Sequence, residues 1–106
     1  MAFKIMDEVA VSGTNTYTSD PVISHTDTIH SFQVIWTGTP TGDLTLEVSN
    51  DGSTWSTTTE TFDAEPAGSA SNTAQVWSGF GYKMSRIKYV NASGSGTMTI
   101  YATVKK

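Results

Sequence analysis

The chain has 106 residues, of which 37% are hydrophobic and 15% charged, with no cysteine and a formal net charge of −4. This length fits a single domain, and no apolar run approaches the roughly 20 residues of a transmembrane helix. The acidic balance disfavours nucleic acid as the main partner, because phosphate binding needs clustered Lys and Arg.

Threonine and serine make up 31 of the 106 residues, a composition that favours strands and turns over helices. In chain order, period-two alternation predicts strands at residues 3–11 (with a phase slip near Met6), 21–23, 29–36, 43–49, 54–62, 73–78, 84–90 and 97–104. Polar, Gly-rich or Pro-rich turns separate them, including residues 12–20, 37–42, 50–53, 64–72, 79–82 and 92–96. Seven or eight short strands predict an all-β fold, an antiparallel β-sandwich or a small jelly roll. We expect one domain over residues 1–106, in which residues 1–20 can act as an arm.

Strand parity indicates which side chains face the core. It places Arg86 and Lys88 on one face of their strand and Ile87 and Tyr89 on the other. The simplest interpretation of the aromatic residues is that Trp36, Trp55 and Tyr89 fill the core. Trp77 and Tyr101 lie beside Gly-rich turns or opposite the core parity, so they are better candidates for contacts with another chain.

Charge is unevenly distributed along the chain. All ten acidic residues lie between Asp7 and Glu65, and five of the six basic residues follow Pro66. Two interpretations remain open: the halves interleave in one sandwich and partly neutralise each other, or opposite charges meet between neighbouring subunits of a symmetric assembly.

Catalytic chemistry has little support in the sequence. Thiol chemistry is absent, and His25 and His30 are the only imidazole bases, so we predict no enzyme, no cofactor and no metal. A zinc site of His25, Asp27 and His30 would need a turn at residues 26–28. The oxygen-rich segment 50–53 suits calcium, although Asn-Asp-Gly is first of all a turn sequence. The sequon at residues 91–93 matters only in a eukaryotic secretory pathway.

Four motifs are distinctive: the hairpin Leu46-Glu47-Val48-Ser49-Asn50-Asp51-Gly52-Ser53-Thr54-Trp55, then Gly79-Phe80-Gly81-Tyr82, Arg86-Ile87-Lys88-Tyr89-Val90 and Ser93-Gly94-Ser95-Gly96-Thr97-Met98-Thr99. They resemble motifs of small β-sandwich proteins from the virions of tailed bacteriophages, and the resemblance covers about residues 30–104. The same hairpin is also similar to that of discoidin-type carbohydrate- or lipid-binding domains. Those domains are longer, and they usually carry their binding loops in the N-terminal half, which this chain is too short to contain.

The bacteriophage resemblance implies a capsid decoration or cement protein, located in the virion and assembled in the host cytoplasm. Its expected partners are the major capsid protein or another virion protein and further copies of itself, without nucleic acid or membrane. The residues expected to bind a partner are Phe3, Lys4, Ile5, Trp77, Phe80, Tyr82, Arg86 and Lys88. The alternative is a carbohydrate-binding module on the virion surface or tail, in which two of Trp36, Trp77, Tyr82 and Tyr101 stack on the sugars of a cell-surface glycan.

Overall fold

The computed structural model describes residues 2–23, 29–60, 62–67, 73–78 and 83–105. These residues form nine strands: β1 (Ala2–Val11), β2 (Thr16–Thr18), β3 (Val22–Ile23), β4 (Ile29–Gly38), β5 (Thr41–Ser49), β6 (Ser56–Thr57), β7 (Thr73–Ser78), β8 (Met84–Ser93) and β9 (Gly96–Lys105). Within these ranges there is no helix of the length and hydropathy that a membrane span requires.

The strands form two antiparallel sheets, which confirms the predicted β-sandwich. One sheet has four strands in the order β1-β9-β4-β7, and the other has five, in the order β2-β8-β5-β6 with β3 also pairing with β8. The inner faces of the sheets meet in one apolar core. Its buried members are Ile5, Met6, Val11, Val22, Phe32, Val34, Trp36, Leu44, Leu46, Ala74, Val76, Ile87, Tyr89, Met98, Ile100 and Ala102.

A bent two-stranded ribbon joins the sheets. β4 pairs with β9 from Ile29↔Lys105 to Gly38↔Gly96, and the pairing resumes between β5 and β8 at Thr41↔Ser93. Both strands of the ribbon therefore cross together from one sheet to the other. At the crossing, the Thr39 N–H donates to the Ser95 carbonyl at 3.1 Å. A Cβ at Gly96 would overlap the Thr37 carbonyl oxygen, so this corner requires a residue without a side chain.

Strand β1 belongs to the four-stranded sheet for its whole length. It pairs with β9 from Ala2↔Thr103 to Val11↔Gly96, with register shifts on both sides of Met6. Glu8 has a positive φ of 46°. Because of these irregularities, the consecutive residues Ile5 and Met6 are both buried. This is expected if the alternation of inward and outward side chains shifts near Met6, as the sequence predicted. An N-terminal arm would have to leave this pairing.

The two differently charged halves of the sequence interleave, as the first interpretation expects. β8 and β9 come from the basic C-terminal part, and each lies between strands from the acidic part, β9 between β1 and β4 and β8 between β2 and β5. The Arg86–Glu47 ion pair joins the two parts at 2.9 Å. Each half of the sequence thus neutralises part of the other within one subunit.

Candidate binding surfaces

The outer face of the five-stranded sheet carries an ordered arginine. Arg86 on β8 lies directly opposite Glu47 on β5, and its Nε donates to the Glu47 Oε1 at 2.9 Å. The guanidinium carbon lies 4.0 Å from the centroid of the Trp55 ring. The carboxylate and the aromatic face therefore hold the planar cation in one position.

Trp55 was expected in the core, and the structure shows that this expectation is wrong. The hairpin after β5 places Trp55 half-exposed on the outer face, where its ring covers the guanidinium. Trp36 and Tyr89 are almost fully buried, as predicted. The indole Nε1 of Trp36 has no hydrogen-bond partner among the described residues.

The side chains around Arg86 form a mixed apolar and cationic surface. Ile23 pairs with Met84 at the β3–β8 edge and is 55% exposed. Lys88 lies two residues beyond Arg86 on the same face, opposite Thr45. We call this set, Ile23, Thr45, Trp55, Met84, Arg86 and Lys88, the Arg86 surface.

Of the other residues expected to bind a partner, those whose side chains the structure describes lie on β1, in the other sheet from Arg86 and Lys88. Phe3 is 39% exposed at the β1 edge, whereas Ile5 is buried in the core. Lys4 donates to Asp7 at 3.2 Å and lies 5.8 Å from the Tyr101 ring centroid. The Trp77 backbone pairs with Ser31, but its side chain, like residues Phe80 and Tyr82, lies outside the described part of the structure.

A cleft of about 850 Å³ lies over the four-stranded sheet. Two rows of cross-strand partners contribute to it, Ser31↔Thr103 and Gln33↔Tyr101, and all four residues are half-buried. The segment after β6 adds carboxylates and a phenyl ring. The described lining residues are Ala2, Ser31, Phe32, Gln33, Glu60, Phe62, Asp63, Val76, Tyr101 and Thr103.

The oxygen-rich turn after β5 uses its carboxylate to hold its own backbone. Asp51 Oδ1 accepts from the Ser53 N–H at 2.9 Å and from the Thr54 N–H at 2.8 Å, and the Ser49 hydroxyl adds a third bond at 3.0 Å. These bonds lower the pKa of Asp51 to about 2. One of the two Asp51 carboxylate oxygens that the calcium alternative could use is thus committed to an Asx turn.

Of the two histidines in the zinc alternative, the structure describes one, His30, which lies in the interior. His30 is 4% exposed, and its Nδ1 lies 2.6 Å from the Ser85 hydroxyl oxygen. His25 and Asp27 lie outside the described residues. Among those residues, no group of three His, Asp or Glu side chains is placed to hold a metal ion.

The asparagine of the sequon belongs to a buried hydrogen-bond network. Asn91 is 1% exposed, and its Nδ2 donates to the Gly13 and Gly94 carbonyls at 2.8 and 3.1 Å. Its Oδ1 accepts from the Tyr89 hydroxyl at 2.7 Å. Burial and the nearby Glu65 carboxylate raise the pKa of Tyr89 to about 12. Glycosylation of Asn91 would require breaking this network.

Four residues at the Arg86 surface and the cleft were not predicted from the sequence as site residues: Glu47, which pairs with Arg86, and Gln33, Glu60 and Asp63, which line the cleft. Glu47 occupies an outward position of a strand with clean alternation, but its pairing with Arg86 depends on a register between segments 39 residues apart. The carboxylates of the cleft come from an irregular segment for which the sequence gives no orientation.

Comparison with known proteins adds no relative. No family model matches the chain, and no curated protein is significantly similar to it.

Proposed function

We propose that this protein is an accessory protein of a tailed-bacteriophage virion, of the decoration or cement type, and that it binds the major capsid protein or another virion protein through the Arg86 surface. The observation that carries the proposal is the stacked Arg86 guanidinium, 4.0 Å from Trp55 and bonded to Glu47. Arginine and tryptophan contribute more than most residues to binding energy at protein interfaces. The class of partner is inferred from the sequence motifs that resemble those of virion proteins.

The geometry of the surface favours binding to a folded partner rather than to a small molecule. Arg86 and Glu47 have side chains only 27% and 10% exposed, so the cation loses little conformational freedom when a partner covers it. Ile23, 55% exposed at the same face, adds apolar area that a partner can bury. Together these features suit a partner that presents a carboxylate beside an apolar contact.

In a decoration protein, a binding surface of modest area is enough for stable attachment to the shell. Many copies on one shell, or several copies in one oligomer, add their individual binding free energies when they engage neighbouring capsomers. The clamped shell then resists expansion and internal pressure better than the shell alone.

The first experiment locates the protein. A lysate of the source phage is separated on a density gradient, and particles positive for an antibody against the protein are imaged with gold labels. We expect label over the icosahedral heads. Label at the tails would favour the receptor or glycan alternative, and signal only in the soluble fraction would contradict the proposal.

Variants of the protein then test whether the Arg86 surface is the one that binds the head. Ile23→Ser and Arg86→Lys are bound to heads that lack the protein, and each is expected to raise the dissociation constant about tenfold, since lost apolar contact or lost stacking costs about 1–2 kcal/mol at an interface hot spot. Tyr101→Ala, on the outer face of the other sheet, is the control and should bind normally. Equal binding by all three variants would exclude the Arg86 surface.

A further inference from the structure

The cleft over the four-stranded sheet carries the chemistry of a carbohydrate site. We infer that it binds a neutral oligosaccharide, with Tyr101, Gln33 and the carboxylate of Glu60 as the principal contacts. This inference does not depend on the proposed function, because the cleft and the Arg86 surface lie on different sheets.

The size and shape of the cleft suit a ligand of a few sugar rings. Its volume of about 850 Å³ falls within the range of roughly 300–1,000 Å³ that is usual for small-molecule sites. Ser31, Gln33, Tyr101 and Thr103 belong to adjacent central strands that pair directly. The sheet therefore fixes their backbone and the direction in which each side chain leaves it, so the backbone loses little entropy on binding.

The lining matches both kinds of surface that a sugar presents. The half-buried ring of Tyr101 offers flat apolar area to the C–H face of a pyranose. The Gln33 amide can both donate and accept, and so can the hydroxyls of Ser31 and Thr103. Each sugar hydroxyl also donates and accepts, so the two sets are complementary.

The charge of the lining selects among carbohydrates. Two carboxylates and no basic side chain are found among its described residues. Lys4 lies nearby, 5.8 Å from the Tyr101 ring centroid, but its ammonium group is bonded to Asp7. Uronates, sialic acids and phosphorylated sugars would bring a like charge toward Glu60, so a neutral hexose or N-acetylhexosamine chain fits best.

The test is an NMR titration of the full chain. Neutral oligosaccharides of hexose and of N-acetylhexosamine are added to isotope-labelled protein, with uronate-containing oligosaccharides of equal length as the anionic comparison. We expect saturable shifts at Ser31, Thr103 and the Gln33 side-chain amide with a neutral ligand. Residues around Arg86 should not shift.

Variants identify the contacts. Tyr101→Ala and Gln33→Ala should each weaken binding about tenfold, whereas Tyr101→Phe keeps the ring and should retain most of the affinity. Ile23→Ser is the matched control on the other sheet. Thermal melts verify that each variant is folded, and Gln33→Ala keeps the test valid if Tyr101→Ala unfolds.

Three results would overturn the inference: no saturable shift with any neutral oligosaccharide, equal or tighter binding of the uronates, or unchanged affinity in folded Tyr101→Ala and Gln33→Ala. None of these would affect the proposed function, which is judged by the binding of Ile23→Ser and Arg86→Lys to heads.

Discussion

At the scale of single residues, Glu65 combines a structural hydrogen bond with a costly charge. Its Oε2 accepts from the Leu44 N–H at 2.6 Å. Burial raises the pKa of the Glu65 carboxyl above its usual range; the Leu44 bond opposes this rise, and the Asp43 carboxylate adds to it. The fold therefore favours the protonated form more than the unfolded chain does.

This shift predicts how stability depends on pH. A carboxyl whose pKa is raised by folding contributes its full stability below its unfolded pKa, about 4.3 for glutamate, and that contribution is lost as the pH rises through the folded pKa. Glu65→Gln keeps an acceptor for Leu44 without the charge. We expect it to be at least as stable as the wild type at pH 7 and to lose less stability between pH 4 and pH 7 in urea denaturation.

The control for this prediction is Glu65→Ala, which removes the acceptor as well as the charge. It should lower the free energy of unfolding by about 1–3 kcal/mol, the usual cost of leaving a buried N–H unpaired. If Glu65→Gln were destabilised as much as Glu65→Ala at pH 7, the carboxylate charge itself would be stabilising and the argument would be wrong.

At the scale of secondary-structure elements, the turn of the bent ribbon restricts most strongly which residues can occupy it. Gly96 meets the Thr37 carbonyl so closely that a Cβ would overlap it, and its neighbour Gly94 has a φ of 75° beside the Thr39 carbonyl. Gly96→Ala should therefore lower the free energy of unfolding by about 1–3 kcal/mol, as overpacking does elsewhere, measured by chemical denaturation. Ser95→Ala, exposed between the two glycines, is the matched control and should have little effect. Equal stability of both variants would show that the corner can relax.

The elements also show what alternation can and cannot predict. β4 and β5 were predicted because large apolar residues recur at every second position, and the structure buries them, including Phe32, Val34, Leu44 and Leu46. β2 was missed because Tyr17 is the single large apolar residue between Ser12 and Asp20; its ring stacks on Tyr89, 6.4 Å away between centroids, a contact with a distant segment. Among the described residues of the predicted strand 54–62, the strand is just Ser56–Thr57; the prediction was too long because threonine has high strand propensity whether or not a partner strand is present.

The same limit applies to the candidate sites. Parity correctly placed Arg86 and Lys88 on the face opposite Ile87 and Tyr89. It could not show that Trp55 covers Arg86, because that contact depends on the β5–β8 register and on the path of the hairpin after β5. The cleft is harder still to predict, since Glu60 and Asp63 follow a two-residue strand and no periodicity fixes their direction.

For the whole molecule, the first strand forms one edge of the four-stranded sheet and pairs there with the last strand. β1 pairs with β9, so the first and last strands are neighbours although they are separated by nearly the full sequence. Ile5, Met6 and Val11 of β1 are buried, and each buried side chain of this kind contributes about 1.5–3 kcal/mol. Their sum is comparable to the total stability of a typical domain, about 5–15 kcal/mol. We therefore expect β1 to be required for folding, as an arm would not be.

Truncation and circular permutation together test this conclusion. Deleting residues 1–11 should abolish cooperative unfolding in circular dichroism. A permutant that joins Lys106 to Met1 through a short Gly-Ser linker and opens the chain between Gly13 and Thr14 keeps β1, now as the hairpin partner that follows β9. We expect it to fold with the strand content of the wild type, because Ala2 already lies opposite Thr103. If the truncated chain instead folded normally and lost only its binding to heads, residues 1–11 would be an arm, and the pairing of β1 with β9 would be dispensable for the sandwich.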